Sequence, residues 1–579
     1  QTLRLEGKVA PWLRVPSETR AAVSKCGYVR NGSSWLFDAT EWVLGGSLMG
    51  EGGPKLHGAR LSSVRGFVRN LDLQVQAHVP VPDDTKGVDA PISLELQISF
   101  AQLPELDGSF VARAADDRVG FWNLAYTELG AAGSGESLSA RRTDRKVNVV
   151  QRWRLEKADA NAALSVPVKP ITYHIDPSVP ERWWPAVKRG VENWNAAFES
   201  AGFVDAIRAV LPTDADFPAD YSAGDLRYSS ISWAISTKSV YAVGPHTFDP
   251  RTGEILDADI MFADGWVDYW VSEHEQEAPS GWAAGTSGAG TRGAGPSGGG
   301  TRGSGFGGGG GGGADVGGDV SGNGVSDERL AADLSRAERQ MQRAQHHVHT
   351  LLGEAAHGSG IGAHTHTHSH SHSGPCGRSQ HAALAETMRT AALLGLGGNG
   401  GDGTDGDGGV PVFFVEQAMT EVVMHEVGHT LGLRHNFKGS AAYTFDELAD
   451  ADFRRAHGTG SSVMDYSPTY WGNVSATDVS ASGRGSSESA VFFSTVVGAY
   501  DKWAIEYGYT PLSNEQPGTQ HPALAEIASR GASSRELAFG TDEDEPRSDG
   551  TDPLTNLYDL SADPLAFYEA ELRLAHTLV

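Results

Sequence analysis

The stretch His425 to Asn436, HEVGHTLGLRHN, carries three histidines at spacings of four and six, with a glutamate beside the first and a glycine three residues after the second. Side chains four apart on a helix lie one above the other, so His425 and His429 offer two imidazole nitrogens to a single ion. Glu426 borders that face. Its carboxylate reaches the water that the ion activates rather than the ion itself, which is where a general base belongs. Gly432 can take a positive φ and end the helix, turning the chain back so that His435 adds a third nitrogen. Three histidines with a fourth position left open form the catalytic, not the structural, pattern for Zn2+. The alternative is a surface helix that happens to be rich in histidine, and the extended pattern H-E-x-x-H-x-x-G-x-x-H makes it the lesser one.

The elements that must position these residues follow from periodicity. VFFVEQAMTEVVMHEVGHTLGL reads as one helix with Val423, Val427 and Leu431 in a row. From Pro180 to Ala201, Trp183, Val187, Val191, Trp194 and Phe198 recur three and four apart, which predicts a helix with one apolar face, stopped at Gly202. Two strands are predicted, at Leu226–Ile235 and at Gly253–Phe262, and a further helix at Val497–Tyr509. The first 165 residues alternate β-rich runs such as LDLQVQAHVPV and ISLELQISF with turn residues, so they read as a mainly antiparallel domain.

Between these ordered parts the composition breaks. Residues 279–409 contain GGGGGGG, HTHTHSHSHS and GGNGGDGTDGDGG, runs too poor in apolar side chains to offset chain entropy. The segment is therefore expected to be a low-complexity, mostly disordered insertion that splits one folded unit. The map is a β-rich domain at 1–165, the first part of a catalytic domain at 166–278, the insertion at 279–409, the second part at 410–515, and an acidic linker with a C-terminal helical segment at 516–579. The last helical pattern reaches Val579 without a stop signal, which leaves room for a longer chain. Gln1 without a leader pattern fits a processed or truncated product as well as a cytosolic one.

A chain of 579 residues with net charge −27 is long enough for several domains and too acidic to present the clustered Lys and Arg that nucleic acid requires. No apolar run is long enough to cross a membrane as a helix. Two cysteines, Cys26 and Cys376, are too few for a disulfide scaffold.

A second signature lies at Ser462-Val463-Met464-Asp465-Tyr466, where a methionine stands in a turn 29 residues after His435. With the histidine motif, it resembles the metzincin clan of zinc endopeptidases, and within it the EcxA-like zinc-dependent metalloproteases. The similarity extends through LRHNFKGS, DELADADFRRAHGTGSSVMDY, AYDKWAIEYGY, VKPITYHIDPSVPERWWPAVKRGVENWNAAFESAGF and DPRTGEILDADIMF. The resemblance implies an α+β fold: a metzincin-type catalytic domain with a twisted mixed sheet and long helices, behind the β-rich N-terminal domain. It implies one catalytic Zn2+ held by His425, His429 and His435, with Glu426 as general base and Met464 as the Met-turn beneath the metal. Tyr466 occupies the place where some members carry a tyrosine that ligates zinc or hydrogen-bonds the intermediate, with simple packing as the equal alternative. An antiparallel edge strand lines the cleft in such enzymes. Gly253, Glu254, Ile255, Leu256, Asp257 and Ala258 are the candidates here, to bind an extended peptide by strand addition. Peptide or protein substrates, and secretion, are what the resemblance implies. Two other readings remain: a non-catalytic extracellular or matrix binding protein with a structural zinc site, and a zinc hydrolase of a non-peptide substrate.

Weaker signals favour bland readings. The alternating His364, His366, His368, His370 and His372 read as a solvated tract, and GGNGGD at Gly397–Asp402 is one unstacked repeat and so linker. Lys25-Cys26-Gly27 lacks the flanking residues of a thiolate latch.

Overall fold

The computed structural model describes residues 4–7, 28–31, 34–38, 43–44, 56–81, 90–128, 145–235, 240–277, 412–470, 491–545 and 550–569. The 279–409 insertion with its His tract, and Cys26, Cys376 and the end of the chain at Val579, lie outside them.

In chain order the strands are β1 (Arg4–Gly7), β2 (Tyr28–Asn31), β3 (Ser34–Asp38), β4 (His57–Gly66), β5 (Asn70–Val81), β6 (Ala90–Ala101), β7 (Asn123–Glu128), β8 (Arg145–Val150), β9 (Arg152–Trp153), β10 (Ile171–Ile175), β11 (Ile207–Val210), β12 (Ser230–Ala234), β13 (Ala242–Val243), β14 (His246–Phe248) and β15 (Glu254–Ala263). The helices that matter here are α1 (Trp184–Glu192), α2 (Asn195–Ser200), α3 (Gly265–Glu277), α4 (Val412–Thr430) and α5 (Ala499–Tyr509). The N-terminal part is antiparallel, as β4–β5–β6 and as the hairpin β7–β8. Alternating apolar residues such as Leu73 and Val75 bury one face of β5.

The central sheet runs β11–β10–β12–β15–β13 and is mixed. Its first four strands are parallel, whereas β13 and β14 are antiparallel to β15. One hydrophobic core joins this sheet to α1, α2, α4 and α5, with Trp183, Val187, Val191, Trp194 and Phe198 all buried in it. The helix expected from Pro180 to Ala201 is broken rather than continuous: a 3-10 turn leads into α1, and α2 begins after Asn193–Trp194. At that break both side chains bond outward, Asn193 Nδ2 to Thr495 O at 2.7 Å and Trp194 Nε1 to Met424 O at 3.0 Å, so the corner ties the segment to α4.

The expected edge strand is corrected. Residues 254–263 have neighbours on both sides: β14 pairs Thr247 with Asp257 and His246 with Ala258, while β9 pairs Arg152 with Glu254 and β12 pairs Ser230 with Asp259. Gly253 O also accepts from Arg152 N–H at 3.0 Å. Ile255 thus has strand partners on both sides, Glu254 pairs with β9, and Asp257 and Ala258 pair with β14, so Gly253, Glu254, Ile255, Leu256, Asp257 and Ala258 do not form the outer edge, and β13–β14 is the antiparallel margin. The region read as an acidic linker is also built into the fold: Gly540 O accepts from Phe437 N–H, Phe437 O from Asn556 N–H, and Tyr466 O from Tyr558 N–H.

Candidate metal centre

Helix α4 carries His425 and His429 one turn apart, with their rings edge to face at 4.7 Å. The helix ends in a Schellman turn: Leu433 N–H donates to Gly428 O at 3.0 Å and Gly432 N–H to His429 O at 3.0 Å, with Gly432 at φ 100°. A side chain is excluded at Gly432 twice over, by that φ and because a Cβ there would stand 2.1 Å from Gln151 O. Past the turn the chain is clipped to residues 120–122, through Trp122 N–H to Gly432 O and Arg434 N–H to Gly120 O. That clip aims His435 back at the two helical histidines, and the ligand atoms of the three lie within 4.8 Å of one another.

The other nitrogen of each ring is held. His425 Nδ1 donates to Val463 O at 2.8 Å, His429 Nδ1 to Leu433 O at 2.9 Å, and His435 Nδ1 to the Asp542 carboxylate at 2.9 Å. These partners are acceptors, so they fix the proton on Nδ1 and leave a lone pair on each Nε2. His429 Nε2 and His435 Nε2 face each other at 3.2 Å, an arrangement of two lone pairs that calls for a cation between them. A proton is disfavoured, because burial pushes His425 down to about 3 and His429 well below its ordinary value. Three imidazoles, each with its Nδ1 tied to an acceptor, are a donor set suited to Zn2+.

Beneath this cluster the turn at Ser462–Asp465 is pinned by Asp501 of α5, which accepts from Ser462 Oγ at 2.7 Å and Val463 N–H at 2.9 Å. Burial pushes the Asp501 carboxyl up to about 6. The same pin sets Val463 O, the acceptor that orients His425. Met464 is fully buried, and its Sδ fills the space where Gly428 lacks a side chain. Tyr466 O–H donates to His435 Nε2 at 2.9 Å, and its ring stacks on Tyr558. Glu426 is fully buried beside the β13–β14 margin: a Cβ on Gly244, between the two strands, would lie 2.5 Å from Glu426 O and 3.2 Å from Glu426 Oε2.

Residues 410–579 match the family model described as Met-zincin. The chain thus carries a metzincin-like domain with a histidine triad of zinc-binding type. Residues 55–158 match a separate domain of unknown function (DUF5117). No curated protein and no solved structure matches the chain.

The Met-zincin region contains the three histidines, Glu426, Met464 and Tyr466, but not the sheet on which α4 packs. Of the residues singled out by sequence, His425, His429, His435, Glu426 and Tyr466 gather in one place with Met464 under them, while residues 253–258 are held inside the sheet, where Glu254 pairs with Arg154 and Asp257 accepts from Ser229 Oγ. Asp542, Tyr558 and Gly244 went unread. Asp542 lies in the acidic run TDEDE and carries no local mark that separates it from its neighbours. Gly244 does have a faint signal, a Gly-Pro pair between two short β-prone segments.

Proposed function

We propose that the protein is a zinc-dependent endopeptidase of the EcxA-like kind that hydrolyses peptide bonds in extended protein substrates. The observation that carries this reading is the convergence of three imidazoles, each with Nδ1 tied to an acceptor, on the helix that also presents the buried Glu426. The match of residues 410–579 to Met-zincin supports it.

Zinc bound by His425, His429 and His435 would supply Lewis acidity and bring the pKa of water from 15.7 toward about 7. Glu426 takes the proton from the attacking water and passes it to the leaving amine, for which its place one residue after His425 suits it. Tyr466, whose hydroxyl already reaches His435 Nε2, either joins the ligand set or donates a hydrogen bond to the oxyanion. The β13–β14 margin passes directly over Glu426 and, in place of residues 253–258, is the edge to which a substrate strand adds.

The test is cleavage of a mixed peptide library by the zinc-loaded full chain, with chelator and with zinc restored. Cleavage that chelator abolishes and zinc restores is the expected result. A chain that holds zinc tightly yet cleaves no peptide overturns the reading.

A further inference from the structure

Beside the metal centre, between α3 and α4, lies a pocket of about 90 Å³. One wall is aromatic: Trp266 and Trp270 of α3 stack at 5.3 Å, with Tyr269 edge-on to Trp266 at 5.8 Å. The facing wall is α4, where Glu421 stands one turn before His425 and therefore on the same side of the helix. Glu421, Glu426 and Asp465 all line the pocket, and no Lys or Arg does among the described residues.

These three carboxyls are not equivalent. Asp465 is occupied by the backbone N–H groups of Ser440 and Tyr466 at 2.7 Å each, and Glu426 belongs to the proposed chemistry. Glu421 accepts from Ser494 N–H at 2.9 Å and makes no ion pair among the described residues. Burial pushes its carboxyl up to about 8, and a cation entering the pocket favours the ionised form. A carboxyl lining a pocket with indole walls has two features that favour one kind of guest. The indole faces attract a cation, and the carboxylate pairs with it where water is scarce.

We propose that this pocket takes a basic side chain, Lys or Arg, of the substrate residue next to the scissile bond, with Glu421 as the specificity-determining group. The proposal rests on reading the metal centre as the catalytic one, since that places the scissile bond at His425 and Glu426. From there Glu421 is one helical turn away, about 5.4 Å along α4, a distance that the four-carbon stem of lysine covers when extended. The stem lies along the Trp266 and Trp270 faces, and the charged end meets Glu421.

Amino-acid hydroxamates test this without turnover, because the hydroxamate group anchors on the metal and leaves the side chain to read the pocket. Calorimetric affinities of the zinc-loaded full chain are compared for hydroxamates with Lys, Arg, Gln, Leu and Glu side chains, in wild type, Glu421→Gln and Glu421→Leu. Glu421→Gln keeps the acceptor for Ser494 N–H. Wild type is expected to bind the Lys and Arg compounds at least about 10-fold tighter than the Leu compound, and Glu421→Gln to erase that preference, as loss of a partly buried charge pair does. Affinity for the Leu compound stays within about threefold in Glu421→Gln, since its contacts are with the indoles. Equal binding of Lys and Leu compounds, tightest binding of the Gln compound, or a basic preference that survives Glu421→Gln each overturn the assignment. Basic preference in binding with no peptide cleavage upholds the pocket and removes the peptidase reading alone.

Discussion

Asp542 accepts the Nδ1 proton of His435 across 2.9 Å although 107 residues separate them, so the third histidine of the cluster is oriented from the far end of the domain. Arg434 and Thr541 hold the same carboxylate from behind, at 3.6 Å and 3.2 Å. A carboxylate behind a ligating histidine fixes its tautomer and raises its basicity, and loss of such a partner typically costs about 10–100-fold in metal affinity. Asp542→Ala is expected to weaken zinc binding by that much in a chelator-competition titration, with circular dichroism unchanged. Unaltered affinity would show that His435 is oriented by its backbone clip to residues 120–122 alone.

Glu426→Gln separates metal binding from chemistry. The amide keeps the size of the buried side chain but cannot accept a proton, so zinc content should stay full while turnover drops about 10²–10⁴-fold, the usual contribution of a general base. Full zinc with cleavage within about threefold of wild type removes Glu426 from that role.

Gly244 gives a test of the β13–β14 margin. A Cβ there meets Glu426 O at 2.5 Å, main chain that cannot swing aside. Gly244→Val should therefore push the margin away from α4, costing about 1–3 kcal/mol in urea unfolding through overpacking and lowering peptide cleavage while zinc stays bound. Thr247→Ala, exposed on the same margin, is the control and should stay within about 0.5 kcal/mol of wild type. Equal behaviour of the two variants would argue against close approach of the margin to Glu426.

What could be read in advance follows how locally each feature is encoded. The histidine helix was legible because His425, Glu426, His429, Gly432 and His435 fall within eleven residues, with a 3.6-residue apolar repeat behind them. Met464 was legible through its immediate neighbours. Edge position was not, because it depends on strand order: β15 has a strong ten-residue strand pattern, whereas the actual margin is built from β13 and β14, two and three residues long and too short to show alternation. Asp542 and Tyr558 reach the site only when the chain returns past Phe437 and Ser440, a tertiary event with no signature in TDEDE or NLYDL. The break at Asn193–Trp194 was hidden for the same reason, since its cause is bonding to Thr495 and Met424.

Tyr466→Phe isolates the hydroxyl that donates to His435 Nε2, because the ring keeps its stacking on Tyr558. If that hydroxyl supports the oxyanion, kcat falls about 10-fold or more with zinc affinity little changed. A matching fall in zinc affinity would make it a ligand instead. No change in either makes Tyr466 a packing residue.

Residues 279–409 join two parts of one folded unit. Helices α3 and α4 flank the segment, α3 ending at Glu277 and α4 beginning at Val412, and they pack against each other. Each also contributes a wall of the pocket next to His425. Their association is thus built from residues before and after the segment, and Trp266, Trp270, Ala418 and Val422 of the two helices line the pocket between them. Closure entropy grows only with the logarithm of loop length, roughly 0.6 kcal/mol per doubling, so a short connection should serve as well as a long one. Replacing 279–409 with about a dozen Gly and Ser residues, a flexible coil, should leave folding, zinc binding and cleavage of a short peptide nearly intact, and raise the melting temperature slightly. The His364–His372 tract, read as solvated, should add no tight metal site, so equilibrium dialysis of the two forms should find the same number of tightly bound zinc ions. A shortened chain that fails to fold, or folds and binds zinc without cleaving peptides that the full chain cleaves, would make the segment a working part of the catalytic domain.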